Sequence, residues 1–353
     1  MPQYTSILKK QRVKVSDYIE HRIISQIMGN NIICDIFFMT CDIKEEIMKV
    51  GIPKGLLYCK YHPFLVTFFS ELGAEIIISE DTNKNILDAG VKYCVDEACL
   101  PVKIFHGHVA CIKDKCDVLI IPRIMQLWKN EYICPKFCGL PEMVVNSFHK
   151  LPLTITEPIY AISKNKLYHW AKNSGKLLGK NSYEIKGAFI KALNAQGKYI
   201  TGINDSEYEI NVALTGHPYN IYDSFSNMDL VKKLHSMGIG IITSEFTQED
   251  ILYKEAEDLY KKPFWTFARE NYGFAVNASK EKTVDGIIYV SSFNCGTDSV
   301  IIELIKNKIP DFPFLILKID EHTGEAGIDT RIEAFRDMLE RRLFNESNIS
   351  TLG

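Results

Sequence analysis

Apolar runs of four to seven residues alternate with helix-length stretches from Met48 onward. Lys49–Ile52 reads as a first strand, with Gly55 at its exit. A helix is predicted near 63–72, closed by Gly73, since glycine takes the left-handed C-cap conformation without strain. Glu75–Ile78 is the next strand, followed by a polar turn over 79–85 and a helix to about Gly90. Another helix runs from Cys99 to about Cys111. A buried strand covers 117–123, and 153–157 is a last strand stopped by Pro158. Residues 163–197 are more polar and helical throughout. A second alternating block follows, with strands over 210–219, Ile239–Ile242, 286–290 and 314–317. Its helices fall at 229–237, more weakly at 248–259, from the 291–299 loop to about Lys308, and at 330–343.

Strands without internal polar alternation, separated by helices, imply a parallel sheet covered on both faces. The expected fold is α/β, with two Rossmann-like (flavodoxin-like) parallel-sheet units joined by a helical connector. The expected boundaries are 48–158 for the first α/β domain, 159–208 for the connector and 209–353 for the second domain with its C-terminal helix. Residues 1–47 read differently. A helix over 15–28 would place Ile19, Ile23, Ile24 and Ile27 on one face. The stretch is either an added arm or upstream sequence before an ancestral start at Met48, and the second is favoured.

Composition narrows the function. A net charge of -3 over 353 residues gives no basic footprint for nucleic acid. No apolar run reaches membrane-spanning length. The start, Met1-Pro2-Gln3-Tyr4, lacks the basic and apolar regions of a secretory leader, so a cytoplasmic protein is expected. Ten cysteines in such a chain point to thiol, metal or Fe–S chemistry rather than to a disulfide framework.

Three cysteines occupy loop addresses. Cys99 lies in Asp96-Glu97-Ala98-Cys99-Leu100-Pro101-Val102-Lys103, and Pro101 suits a helix first turn. A cysteine at a helix N-terminus meets free N–H groups that favour the thiolate. Cys134 lies in Tyr132-Ile133-Cys134-Pro135-Lys136-Phe137-Cys138, with Cys138 one turn on as the candidate fourth ligand. Cys295 lies between a strand end and a helix start, in Phe293-Asn294-Cys295-Gly296-Thr297-Asp298-Ser299. Thiolates converging from separate segments are what a 4Fe–4S cube or a zinc site needs. The plain alternative for each is a half-buried structural cysteine. Cys34, Cys41, Cys59, Cys94, Cys111 and Cys116 read as structural.

Ligands of open parallel sheets collect at the carboxyl ends of the strands. Lys54, Glu97, Lys103, His108, Arg123, His217, Asn294 and Asp298 are the cleft and substrate candidates there. Lys103 and Arg123 would attract an anion, or else form ordinary ion pairs. No GxxxxGK[ST] or GxGxxG run is present, so ATP hydrolysis and the usual NAD fingerprint are not expected.

Taken together these motifs resemble the 2-hydroxyacyl-CoA dehydratase family, and more closely its acyl-CoA dehydratase activase-related branch. The resemblance rests on Gly51-Ile52-Pro53-Lys54-Gly55, the Cys99 motif with Gly107-His108, Ile121-Pro122-Arg123 and the Cys134 motif. Gly216-His217-Pro218-Tyr219, the Cys295 motif and Gly327-Ile328-Asp329-Thr330-Arg331 complete it. It covers the chain from about Met48 to the last helix. It implies a [4Fe–4S] cluster held by Cys99, Cys134 and Cys295, with a double-cubane cluster or zinc as lesser readings. It implies one-electron reduction or dehydration of an acyl-CoA-type substrate, with the electron from a separate ATP-driven activase. In that family dehydration runs through a ketyl radical of the thioester. A homodimer, or a heterodimer with a related subunit, is the implied assembly. Two further readings stay open: an electron-transfer or scaffold Fe–S protein, and a zinc or nucleotide-binding protein with structural cysteines.

Overall fold

The computed structural model describes residues 47–205 and 207–350, which form one contact unit. The expectations for 15–28, Cys34 and Cys41 lie outside the described residues. The chain is a mixed α/β structure with two four-stranded parallel sheets.

In the first sheet the strands are β1 (Lys49–Ile52), β2 (Glu75–Ile78), β3 (Val118–Ile120) and β5 (Leu153–Ile155), in the order β2-β1-β3-β5. Between them run α1 (Tyr58–Glu71), α2 (Lys84–Tyr93) and α3 (Leu100–Ile112). A strand, β4 (Arg123–Gln126), pairs in parallel with β6 (Pro158–Tyr160). Pro158 therefore opens a strand instead of stopping one, a place where its missing N–H is tolerated. Short helices α4 (Pro135–Cys138) and α5 (Leu140–Ser147) lie between β4 and β5. Next come α6 (Lys164–Leu177) and α7 (Ser182–Lys198).

The second sheet contains β7 (Ile210–Gly216), β8 (Ile239–Ile242), β9 (Gly286–Ser292) and β10 (Phe314–Ile319), in the order β10-β9-β7-β8. Its helices are α8 (Pro218–Ile221), α9 (Leu230–Ser236), α10 (Glu249–Glu255), α11 (Thr266–Lys280), α12 (Gly296–Lys308) and α13 (Glu325–Ser350).

Helix α1 begins five residues ahead of Pro63, where the sequence pattern had started it. The proline removes one intrahelical donor and frees the carbonyl four residues back. That carbonyl, on Cys59, accepts the Tyr199 hydroxyl at 3.2 Å. Gln196 bridges the neighbouring gap: its Nε2 donates to Lys60 O at 2.8 Å and its Oε1 accepts from Phe64 N at 3.3 Å. The α6–α7 pair also packs into the first core. Trp170, Ala171, Ile185 and Phe189 are buried in the same core as Phe64, Phe68 and Phe69 of α1.

The two sheets share α3. Val102, Phe105, Val109 and Ile112 face the first core, while Leu100 and Ile104 join Val212, Leu214 and Ile288 in the second. Helices α2 and α3 cross at glycines. A Cβ on Gly107 would stand 1.9 Å from Ile86 O, and one on Gly90 would stand 2.1 Å from Lys103 O. Gly107 is therefore a backbone contact point, which explains its place between two histidines.

Helix α11 had no counterpart in the sequence reading. Phe267, Ala268, Tyr272, Ala275 and Ala278 are buried, but so are Thr266, Arg269 and Asn271. A helix buried nearly all round carries no single apolar stripe, so periodicity does not reveal it. Its Arg269 pairs with Glu131 at 2.7 Å, and both side chains are buried. Tyr132 bridges the loop before α11, with Tyr132 N donating to Phe264 O at 2.9 Å and Thr266 N to Tyr132 O at 3.0 Å.

Candidate functional site

Strands β7 and β9 are adjacent at the centre of the second sheet, with Gly216 opposite Val290. The chain leaves β7 at His217 and β9 through Asn294 to Cys295. Gly216 has φ +142, and a Cβ there would lie 2.3 Å from Val290 O. Only glycine lets the backbone turn so close to its neighbour. Asn294 takes φ 62, a left-handed conformation that asparagine tolerates better than most residues. These two turns set His217 and Cys295 side by side, with Nε2 to Sγ at 3.8 Å.

The imidazole is held from several sides. His217 Nε2 lies 3.2 Å from Asp298 Oδ1. Tyr219 stacks on the ring at 5.0 Å between centroids, and Phe267 meets it edge-on at 5.4 Å. Asp298 is itself anchored: Tyr289 Oη donates to Oδ1 at 2.8 Å and Ser291 Oγ to Oδ2 at 2.9 Å. Asn271 of α11 donates to the Tyr289 oxygen at 3.1 Å, and Thr215 donates to Asn271 at 3.2 Å. Burial resists ionisation of Asp298, but His217 outweighs it and the carboxyl sits below its ordinary range. Burial likewise disfavours the imidazolium, yet Asp298 lifts His217 well above its ordinary value, with Cys295 adding.

Cys99, Cys134 and Cys295 each occupy a helix N-cap, of α3, α4 and α12, and His217 caps α8. The three thiols bear on one phenol. Burial raises Tyr219 well above its ordinary value, and the charges of Cys99, Cys134, Asp298 and Cys295 push the same way. Burial also raises the Cys134 thiol, with Cys99 and Cys295 adding to the rise and His217 opposing it. All three thiols are half-buried and free. Cys138 closes helix α4 one turn beyond Cys134 and is half-buried.

The remaining sequence candidates divide. Lys103 is buried and pairs with Glu321; Arg123 pairs with Glu142 and donates to Thr156 O at 3.2 Å. Both are thus engaged with protein groups. His108 is fully buried, its Nδ1 2.9 Å from Ser79 Oγ and its Nε2 3.1 Å from Thr82 Oγ1. Glu97 is exposed in the turn before Cys99, and Asn294 is exposed beside Cys295. Lys54 pairs with Asp81 and borders a cavity of about 460 Å³, which Tyr219 also lines.

Sequence reasoning gave Tyr219 no role of its own and missed Tyr289, Asn271 and Phe267 as parts of this site. Tyr219 stood inside a quoted motif, one residue past the proline that follows His217. Tyr289 and Asn271 carried no signal, because each reads as an ordinary core or helix residue.

The donor set suits a thiolate-loving metal or a cluster. Three thiols stand at helix N-caps, and thiolates are the usual ligands of iron–sulfur clusters and of zinc. The ligand atoms of His217, Cys295 and Asp298 lie within 4.8 Å of one another. His217 Nδ1 is buried with no hydrogen-bond partner.

These features define a parallel-sheet α/β protein with a thiol–imidazole–carboxylate centre at strand and helix ends. The family model described as the CoA enzyme activase uncharacterised domain matches residues 49–247, more than half of the chain, and the chain belongs to that family. The match includes Cys99, Cys134 and His217, while Cys295 and Asp298 follow it in sequence. Among curated proteins none matches the chain. Among the described residues no helix is long and apolar enough to cross a membrane.

Proposed function

We propose that this chain is an Fe–S protein acting on an acyl-CoA-type substrate, with Cys99, Cys134 and Cys295 as ligands of a [4Fe–4S] cluster. In this reading the two sheets are Rossmann-like units, and a separate ATP-driven activase supplies the electron. A bound cluster would supply low-potential one-electron chemistry. The observation that carries the reading is that three cysteines from distant segments each stand at a helix N-cap, with Cys295 3.8 Å from His217 and all three thiols acting on the ionisation of Tyr219. The residues have separable tasks. Cys99, Cys134 and Cys295 hold the group. Asp298, fixed by Tyr289 and Ser291, orients His217 against Cys295. Tyr219 and Phe267 cover the imidazole and keep water from it.

Anaerobic purification with iron and sulfide analysis, and EPR of the reduced protein, tests the proposal. Stoichiometric iron and sulfide support it; protein that neither retains nor takes up iron overturns it. The His217–Cys295–Asp298 grouping favours a second reading, a single zinc ion in tetrahedral N/S/O coordination. Zinc without sulfide in the same analysis would decide for it.

A further inference from the structure

The cavity of about 460 Å³ lies outside the thiol centre but shares Tyr219 with it. That volume suits a small organic molecule. We infer that the cavity binds a small carboxylate with a planar, unsaturated body, held by aromatic faces and by Lys54.

Aromatic side chains reach the wall from two separate parts of the fold. Tyr58 and His62 come from α1 and Tyr199 from the segment after α7, while Tyr219 and Tyr222 come from α8 and its C-cap. The first group is pre-assembled. Tyr58 and His62 stack at 5.0 Å with 22° between planes, and Tyr199 meets His62 edge-on at 4.8 Å. The hydroxyl of Tyr199 is fixed on Cys59 O, so its ring is held without a ligand. Held rings lose little freedom on binding, and their faces favour flat partners.

Charge sets the other half of the ligand. Lys54 is the only lysine or arginine of that wall among the described residues. Its partner there, Asp81, has a side chain that is 91% exposed. An ion pair with so exposed a carboxylate contributes little, so an incoming carboxylate can take its place. Asp223, the other carboxylate of the wall, is held by neutral donors. Oδ2 accepts from Thr82 Oγ1 at 2.5 Å and Oδ1 from Ser226 N at 2.9 Å. Lys54 is placed from behind as well, its backbone N–H donating to Ser79 Oγ at 2.9 Å. The wall therefore offers one exchangeable cation beside fixed aromatic faces.

The inference deepens the reading of the thiol centre only through Tyr219, which borders both. Iron analysis and ligand titration are separate readouts, so failure of one leaves the other standing. The test is fluorescence titration of the full-length protein with 2-naphthoate. 2-Naphthylmethanol serves as the uncharged match and octanoate as the flexible one. 2-Naphthoate should saturate and bind at least about tenfold more tightly than either control. Lys54→Met should abolish the advantage over 2-naphthylmethanol, and Tyr199→Leu should weaken both naphthyl compounds. Asp81→Asn should tighten 2-naphthoate by releasing Lys54. The Asp81 side chain is exposed and Lys54 borders the cavity, so neither variant removes a residue of the apolar core. Absence of saturable 2-naphthoate binding overturns the inference. So does a Lys54→Met protein that keeps the carboxylate preference, or an Asp81→Asn protein that binds no more tightly.

Discussion

Asp298 Oδ1 and Cys295 Sγ both face the same nitrogen of His217, at 3.2 and 3.8 Å. The carboxylate thereby fixes which atom of the imidazole meets the thiol. Asp298→Asn keeps the shape but removes the charge. Burial then acts on the imidazolium with only Cys295 opposing it, so the His217 imidazole of the metal-free variant should lose its proton at a lower pH than that of the parent and be neutral at pH 7. The imidazole C–H shifts in an NMR titration read this directly. A variant whose His217 stays protonated at pH 7 would show that Asp298 is not what holds the charge.

His108 gives a pH dependence with a definite sign. Burial first, and the nearby Lys54 charge second, depress its imidazole to about 4. The unfolded chain has an ordinary value near 6.5, so between these limits it binds more protons than the folded protein. Stability contributed by neutral His108 is whole above about 6.5 and falls with pH until about 4, by roughly 3 kcal/mol. Urea unfolding of His108→Gln at pH 7, 5.5 and 4 should show that share of the acid slope gone. An unchanged slope would place the acid sensitivity elsewhere.

The strands were the most legible part of the chain. Lys49–Ile52, Glu75–Ile78 and Ile239–Ile242 stand where their apolar runs placed them. An unbroken apolar run between turn signals has few other solutions in an α/β chain. Helix α11 was not legible, because Arg269 and Asn271 are buried by specific partners instead of lying on a wet face. The β4–β6 pair was hidden for a related reason: Pro158 reads as a stop unless its partner strand is known. At the site, the cysteines and His217 advertised themselves by sitting before prolines or glycine at element ends. Tyr289, which anchors Asp298, lay inside a strand that reads as plain core. Its role depends on Asp298 folding back from the next helix, a relation across nine residues that no local pattern encodes.

Two glycine substitutions should move stability in opposite directions. Gly107→Ala forces a Cβ to 1.9 Å from Ile86 O, a backbone atom that cannot step aside without parting α2 and α3. The loss should exceed about 3 kcal/mol or prevent folding. Gly187 lies exposed within α7, with nothing within 4 Å of an added Cβ. Gly187→Ala should stabilise by roughly 0.5–1 kcal/mol through helix propensity alone. Thermal melts of the two variants, side by side, check the helix crossing against the open face.

Glu270 offers a second pH test of opposite sign. Burial raises its carboxyl to about 7, with Lys60 and Arg269 opposing and Glu249 and Glu245 adding. A carboxyl raised above its unfolded value of about 4.3 releases protons more readily when unfolded, so stability is lost as pH rises from about 4.3 to 7. Glu270→Gln removes the penalty and keeps the shape. It should melt higher than the parent at pH 8 and no higher at pH 4.5. Equal melting at pH 8 would show that Lys60 and Arg269 hold the ionised form without cost.

The cysteines allow the sharpest test of the centre, because the chain supplies its own controls. Cys99→Ser, Cys134→Ser and Cys295→Ser each remove one of the thiols that act on Tyr219. Serine is close in size but a poor ligand for iron, so each variant should fold and lose most of its iron. Cys111→Ser should keep it, since Cys111 is half-buried within α3 and its thiol faces Glu80, at 4.0 Å. Cys138→Ser then decides the fourth position. Loss of iron equal to that of Cys134→Ser would make Cys138 a ligand; full retention leaves the position to His217 or to solvent. The Cys134 thiol is raised by burial and therefore protonated at neutral pH before loading. Metal must displace that proton, so uptake of iron or zinc should strengthen as pH rises from 6 to 8. Uptake that is flat over this range, or iron that survives all three substitutions, would show that these thiols pack together without holding anything.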